Sequence, residues 1–234
     1  VGHAAKATPL TLPMNVQLIT KQGEQGELPL SIPAERIGDQ VTAAGIPFAI
    51  AKDGKNALRL AGQTLTLKKD TRRLALLLSA DSNRILDFTV GGKTVPCSVL
   101  SRTRRFASWD LYDLHETAHI QEGQLGYVST HSHNADGTDA IAKELYFYIL
   151  ILNVQGGDTV VLPRDEETLV LAATELNTVA VPCATPLYDR VEDRPFDYTM
   201  RLGDKLRYLR MKLPWYMGDK GRYFSCYNRG RERE

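Results

Sequence analysis

Apolar positions along this chain fall into short blocks separated by Gly, Pro and small polar residues, and few of them repeat at helical intervals. Leu145 to Val154 is rich in aromatic and β-branched residues and holds no Gly or Pro. Its apolar character is nearly continuous from Tyr146 to Leu152, which predicts a strand covered on both faces. Arg73 to Ala80 reads the same way and is expected as a second central strand. Gln155-Gly156-Gly157-Asp158 suits a hairpin turn, so Thr159 to Leu162 is expected to return beside the first strand in a meander. Thr168 to Ala173 gives a further strand, and Glu166-Glu167 before it reads as a polar loop.

The remaining blocks follow in order. Pro9 to Thr20 predicts an edge or entry strand interrupted by Pro13. Lys21 to Glu27 reads as a loop, and Ser31 to Ile37 as one helical turn. Ile46 to Ile50, Ala57 to Leu60 and Gln63 to Leu67 read as strands, with the last alternating polar and apolar positions. Lys52 to Lys55 is a tight turn. Ile85 to Val90, Gly91-Gly92 and Thr94 to Leu100 spell a hairpin, and Val179 to Pro182 a last strand fragment. The sum is an all-β chain, a jelly-roll-like antiparallel β-sandwich over residues 1–189. Residues 190–234 form a basic, aromatic extension with twelve basic against seven acidic side chains. There Leu202, Leu206, Leu209 and Leu213 keep helical spacing. Arg with Tyr and Trp in this tail suits either packing on the sandwich or docking on an acidic partner.

Composition narrows the classes. The chain has 234 residues, 43% hydrophobic, and a net charge of +1, which gives no general case for nucleic acid. No apolar run approaches the roughly 18 residues that span a membrane. Val1 opens the chain without a secretory signal, as in a mature chain or an excised fragment. Cys97, Cys183 and Cys226 lack metal-ligand spacing and are expected as buried thiols.

Three groups of residues carry candidate chemistry. His131 and His133 lie two apart, so on a strand both point to one face and could reach one metal, with His115, His119 or Asp136 as a third ligand. The same pair could instead hold neighbouring loops by hydrogen bonds or contact a sugar. Asn134, Asp136 and Asp139 place oxygen donors around a Gly turn, where they could hold a structural Ca²⁺ or simply stabilise the turn. Trp109, Asp110 and Tyr112 combine flat apolar surface with an acceptor, as sugar sites do, although Trp is also a common core anchor. A carbohydrate site would comprise Trp109, Asp110, Tyr112, His131, His133 and Asn134. No G-x-S-x-G elbow accompanies Ser129, His131 and Asp136, so no catalytic residue is assigned.

The segment Tyr127 to Gly137 carries a T-H-x-H-x-x-D-G pattern. It resembles a segment in the non-catalytic β-domains of bacterial α-mannosidase-like glycoside hydrolases of the family 38 kind. Further segments fit in the same order. They are Gly45-Ile46-Pro47-Phe48, Gly62 to Leu67, Leu74 to Ser79, Phe88 to Val95, Ser108-Trp109-Asp110, Thr159 to Pro163 and Thr185 to Asp189. The resemblance covers Pro9 to Asp189 and stops at Arg190. It implies a β-sandwich accessory domain beside a glycosidase catalytic domain, with mannosides or related glycans as ligands and no catalysis in this chain. The alternatives are a stand-alone carbohydrate-binding module and a free-standing glycoside hydrolase.

Overall fold

The computed structural model describes residues 6–104 and 123–178, and backbone pairing alone at 107–112, 115–120, 218–219 and 222–223. The backbone divides into two units, Val1–Ala184 and Thr185–Glu234. In the second unit, β19 (Gly218–Asp219) bridges β20 (Arg222–Tyr223).

The first unit is built around β8 (Arg73–Ser79) and its neighbours β16 (Tyr146–Asn153) and β18 (Arg164–Leu176). β13 (Gln124–Val128) extends the sheet beyond β16, while β1 (Ala7–Leu10) and β6 (Leu58–Ala61) pair with β18. Every pairing in this sheet is antiparallel. Strand alternation explains why β8 is apolar from Leu74 to Leu78. Leu74, Leu76 and Leu78 enter one hydrophobic cluster, and Ala75 and Leu77 enter the other.

On the first face lies a sheet of β7 (Thr64–Thr66), β9 (Arg84–Val90), β10 (Lys93–Val99) and β17 (Thr159–Val161), in the order β10-β9-β17-β7. Leu65, Phe88, Val90, Cys97, Val99 and Val160 project from it onto Leu58, Leu60, Leu74, Leu76 and Val170. Two sheets packed over one apolar core make this an all-β, antiparallel β-sandwich. The Cys97 thiol is free and buried there, and burial pushes its pKa up.

On the second face the cover is made of short pieces. β2 (Ile19–Thr20), β3 (Leu30–Pro33), β14 (Ser132–Asn134) and β15 (Asp139–Ala140) form one small sheet, ordered β15-β14-β3-β2. β4 (Gln40–Ala43) pairs with β5 (Ile46–Ala49). Leu18, Ile19, Ile32, Ile46 and Phe48 pack here against Ala75, Leu77, Phe147, Ile149 and Leu171. A separate ribbon pairs β11 (Ala107–Tyr112) with β12 (His115–Ile120).

Several expectations hold. Both apolar runs are central strands, and the Pro9 to Thr20 block splits between β1 and β2, each at the edge of its own sheet. Val90 faces Lys93 across Gly91-Gly92, whose φ values of 54° and 83° make the two-residue hairpin turn.

Others are corrected. Thr159 to Leu162 does not return beside β16, because β13 and β8 already occupy both edges of that strand. The chain instead turns a corner into the other sheet. The Gln155 N–H donates to the Asp158 carboxylate at 2.8 Å and the Gly157 N–H to the Lys68 carbonyl at 3.2 Å. A Cβ on Gly156 would sit 1.6 Å from the Lys69 oxygen, so only glycine allows this approach. Ser31 to Ile37 is not helical. Ser31 to Pro33 belong to β3, and only a turn follows, closed by the Arg36 N–H on the Pro33 carbonyl at 3.1 Å. Burial of Ile32 between sheet layers overrides the local start signal. Glu166 and Glu167 lie within β18 rather than in a loop, at a register shift between Asp165 and Leu169. Arg84 binds Asp165 at 2.8 Å and Glu167 at 2.6 Å, and Arg102 donates to the Glu167 carbonyl at 2.8 Å. These guanidinium groups secure the irregular stretch. The ribbon of β11 and β12 was not among the expected strands, although Ala107, Trp109 and Leu111 alternate with Ser108 and Asp110 along β11. Val179 to Pro182 and the leucine pattern of Met200 to Leu213 lie outside the described residues.

Candidate functional site

The T-H-x-H-x-x-D-G segment becomes β14 and a tight turn that leads into β15. In the turn the Gly137 N–H donates to the Asn134 carbonyl at 2.9 Å, and Gly137 has φ +85°. A Cβ there would meet the Gly23 backbone at 2.6 Å. The Lys21 to Gly26 loop therefore rests on the turn, with the Gly26 N–H donating to the Ala135 carbonyl at 3.0 Å. The Asp136 carboxylate accepts from the Thr138 hydroxyl at 2.6 Å and the Thr138 N–H at 3.0 Å. These bonds hold its pKa below the usual carboxylate range.

His133 sits in the middle strand of the small sheet, opposite Ser31 on one side and Asp139 on the other. Its side chain is wholly buried. Nδ1 lies 2.9 Å from Thr20 Oγ1, which lies 2.7 Å from Ser31 Oγ. Nε2 is buried and has no hydrogen-bond partner. The nearest acidic oxygens are Asp139 Oδ1 at 3.7 Å and Glu35 Oε2 at 3.8 Å, beyond hydrogen-bond distance. His131 approaches from outside β14. Its Nδ1 is 2.9 Å from Thr130 Oγ1, and its Nε2 is 3.9 Å from Asp139 Oδ1. The two imidazole rings meet edge-on with centroids 5.8 Å apart. One nitrogen from each ring and one Asp139 oxygen lie within 4.8 Å of one another. Gln22 Nε2 donates to that Asp139 oxygen at 3.0 Å.

The expected residues separate into groups. His131 and His133 converge as their spacing predicts, and Asp139 stands where His115, His119 or Asp136 was expected. His115 and His119 lie on β12, and Trp109, Asp110 and Tyr112 on β11. Asp136 caps its own turn, and the Asn134 amide donates to the Thr138 hydroxyl at 3.0 Å, while Asp139 faces the histidines. Of the oxygen donors expected for Ca²⁺, Asp136 Oδ1 is thus engaged within the turn, whereas two nitrogens and one carboxylate gather beside it. Thr20, Gln22, Ser31 and Glu35 were not legible as site residues, because only the fold brings them to His133 and Asp139 across about a hundred positions. Elsewhere, Arg72, Lys93, Asn153, Gln155 and Asp158 line an open groove at the corner between the sheets.

A family model described as the AziU2-like β-sandwich domain matches residues 5–179. The chain belongs to that family. The match takes in both packed sheets, the small sheet and the histidine pair of this AziU2-like domain. A search of curated proteins finds no match. Among the described residues no helix is long and apolar enough to cross a membrane.

Proposed function

We propose that this AziU2-like domain is a non-catalytic β-sandwich that supports an α-mannosidase-like glycoside hydrolase catalytic domain. The observation that carries this reading is the work done by the T-H-x-H-x-x-D-G segment. Its Thr130, His133, Asp136 and Gly137 hold a turn, a buried strand and a neighbouring loop together. Such a role fits a scaffold element, and the ordered segments around it resemble those of mannosidase accessory domains. In this reading the extension from Arg190 supplies docking surface. The test is to mix the purified chain with the catalytic region of an α-mannosidase-like enzyme and follow both by size-exclusion chromatography. A stable complex is expected. A folded, monodisperse chain that never co-elutes with such a region overturns the reading.

Carbohydrate binding is the second reading. Its support is the half-buried pair His131 and Asn134, polar side chains at the rim of the small sheet, with Trp109, Asp110 and Tyr112 on the ribbon as further contacts. Mannosides on a glycan array should then retain the chain, and Trp109→Ala should lose them. Equal retention of the variant removes the ribbon from the site.

A further inference from the structure

We propose that His131, His133 and Asp139 bind a divalent transition-metal ion, with Glu35 as the fourth donor. His133 Nε2 is the decisive atom. It is buried, unpartnered and aimed at two carboxylates that stand too far away to accept a hydrogen bond. Both imidazoles are held from behind, each with Nδ1 against a threonine hydroxyl. With the Nδ1 hydrogens given to those oxygens, the Nε2 lone pairs face Asp139, the arrangement that ligating histidines use.

The donor set decides the class of ion. Two nitrogens with one or two carboxylates suit Zn²⁺ and its neighbours, whereas Ca²⁺ takes six or more oxygens. Bonds of about 2.0–2.1 Å in a tetrahedron place ligand atoms about 3.3 Å apart. The His–Asp139 separations are 3.7 Å and 3.9 Å and the three donor atoms lie within 4.8 Å of one another, so closure needs shifts of no more than about 1.5 Å. His131, Asp139 and Glu35 can supply that movement, since their side chains are 16%, 38% and 41% exposed, and the exposed carboxylates give an ion its way in. Gln22 already orients Asp139 from the loop packed on the turn. Bound metal ties β15 and the turn after β3 to the immobile His133, closing the small sheet at one point. This site is separate from catalytic-domain docking and stands or falls independently of it.

The experiment titrates metal-stripped chain with Zn²⁺, and with Ca²⁺ in parallel, by calorimetry and thermal unfolding. One Zn²⁺ per chain is expected, with a Tm that climbs with Zn²⁺ concentration. His133→Ala empties a buried position and can unfold the sheet, so His131→Ala at a half-buried side chain and Asp139→Asn at an exposed one carry the test. Each should raise the Kd for Zn²⁺ by at least about tenfold while keeping the metal-free Tm near that of the parent. Absence of Zn²⁺ binding by the folded parent overturns the proposal, as does binding that both variants retain unchanged. A Ca²⁺ response that equals the Zn²⁺ response and disappears in Asp136→Asn also overturns it, in favour of an oxygen-only site in the turn.

Discussion

The two covers of the central sheet solve one problem by different means. The β7-β9-β10-β17 sheet pairs its own N–H and C=O groups strand to strand, so its inward side chains can be wholly apolar. The opposite cover consists of strands of two to four residues joined by irregular chain. Its backbone groups need side chains as partners. Asn56, fully buried, accepts from the Leu18 and Ile19 N–H groups at 2.7 Å and 2.8 Å and donates to the Ile19 and Lys52 carbonyls. The Thr174 hydroxyl donates to the Pro47 carbonyl at 2.6 Å, and Thr20, Ser31 and His133 bond one another. Irregular cover therefore brings polar groups into the interior. That is where a ring nitrogen is left with valence to spare and a candidate site arises. The regular half has less occasion to create one.

The largest effect should come from removing the central polar pin. Asn56→Ala strands two buried N–H groups and two carbonyls, and at about 1–3 kcal/mol for each buried donor left unpaired should cost roughly 3–5 kcal/mol in urea unfolding. A loss below about 1 kcal/mol would mean that the irregular cover holds itself without side-chain help.

Leu76 and Leu77 compare the two halves directly, being adjacent, fully buried and committed to opposite clusters. Truncation of either to Ala should cost about 2–5 kcal/mol. Leu76→Ala should be the worse by about 1 kcal/mol, because paired strands collapse into a cavity less readily than short segments do. Equal losses, or the reverse order, would show that the irregular cover is as stiff as the sheet.

A smaller effect is expected at Glu175, a buried acid where β18 meets the loop between β7 and β8. Burial works to raise its pKa. Bonds from the Thr71 hydroxyl and from the Lys68 N–H and ammonium outweigh burial and hold it below the usual carboxylate range. A lowered folded pKa contributes stability that is complete above the unfolded value, about 4.3, and is lost as pH falls through the folded value. Glu175→Gln should cost about 1–2 kcal/mol near neutral pH, and the gap to the parent should narrow in acid unfolding below about pH 5. A gap that stays constant with pH would assign the loss to packing alone.

Local pattern was enough to settle the features that depend on near neighbours. The apolar centre of Arg73 to Ala80 and the nearly continuous apolar run of Tyr146 to Leu152 require cover on both faces, so their central place could be read directly. Gly91-Gly92 and Asn134 to Gly137 specify turns because few other residues accept their backbone angles. Pairing was different. Gln155 to Asp158 encodes a reversal of the chain but not its partner, and the filled edges of β16 send β17 to the other sheet. The acidic start of β18 gains its strand form from β6, Arg84 and Arg102, all distant in sequence. At the site, the two-residue spacing brought His131, from just outside β14, beside His133. Asp139, Glu35 and the Thr20–Ser31 hydroxyl pair joined them only through the register of four short strands. A two-residue period is a property of the chain, whereas register across a sheet belongs to the packed whole.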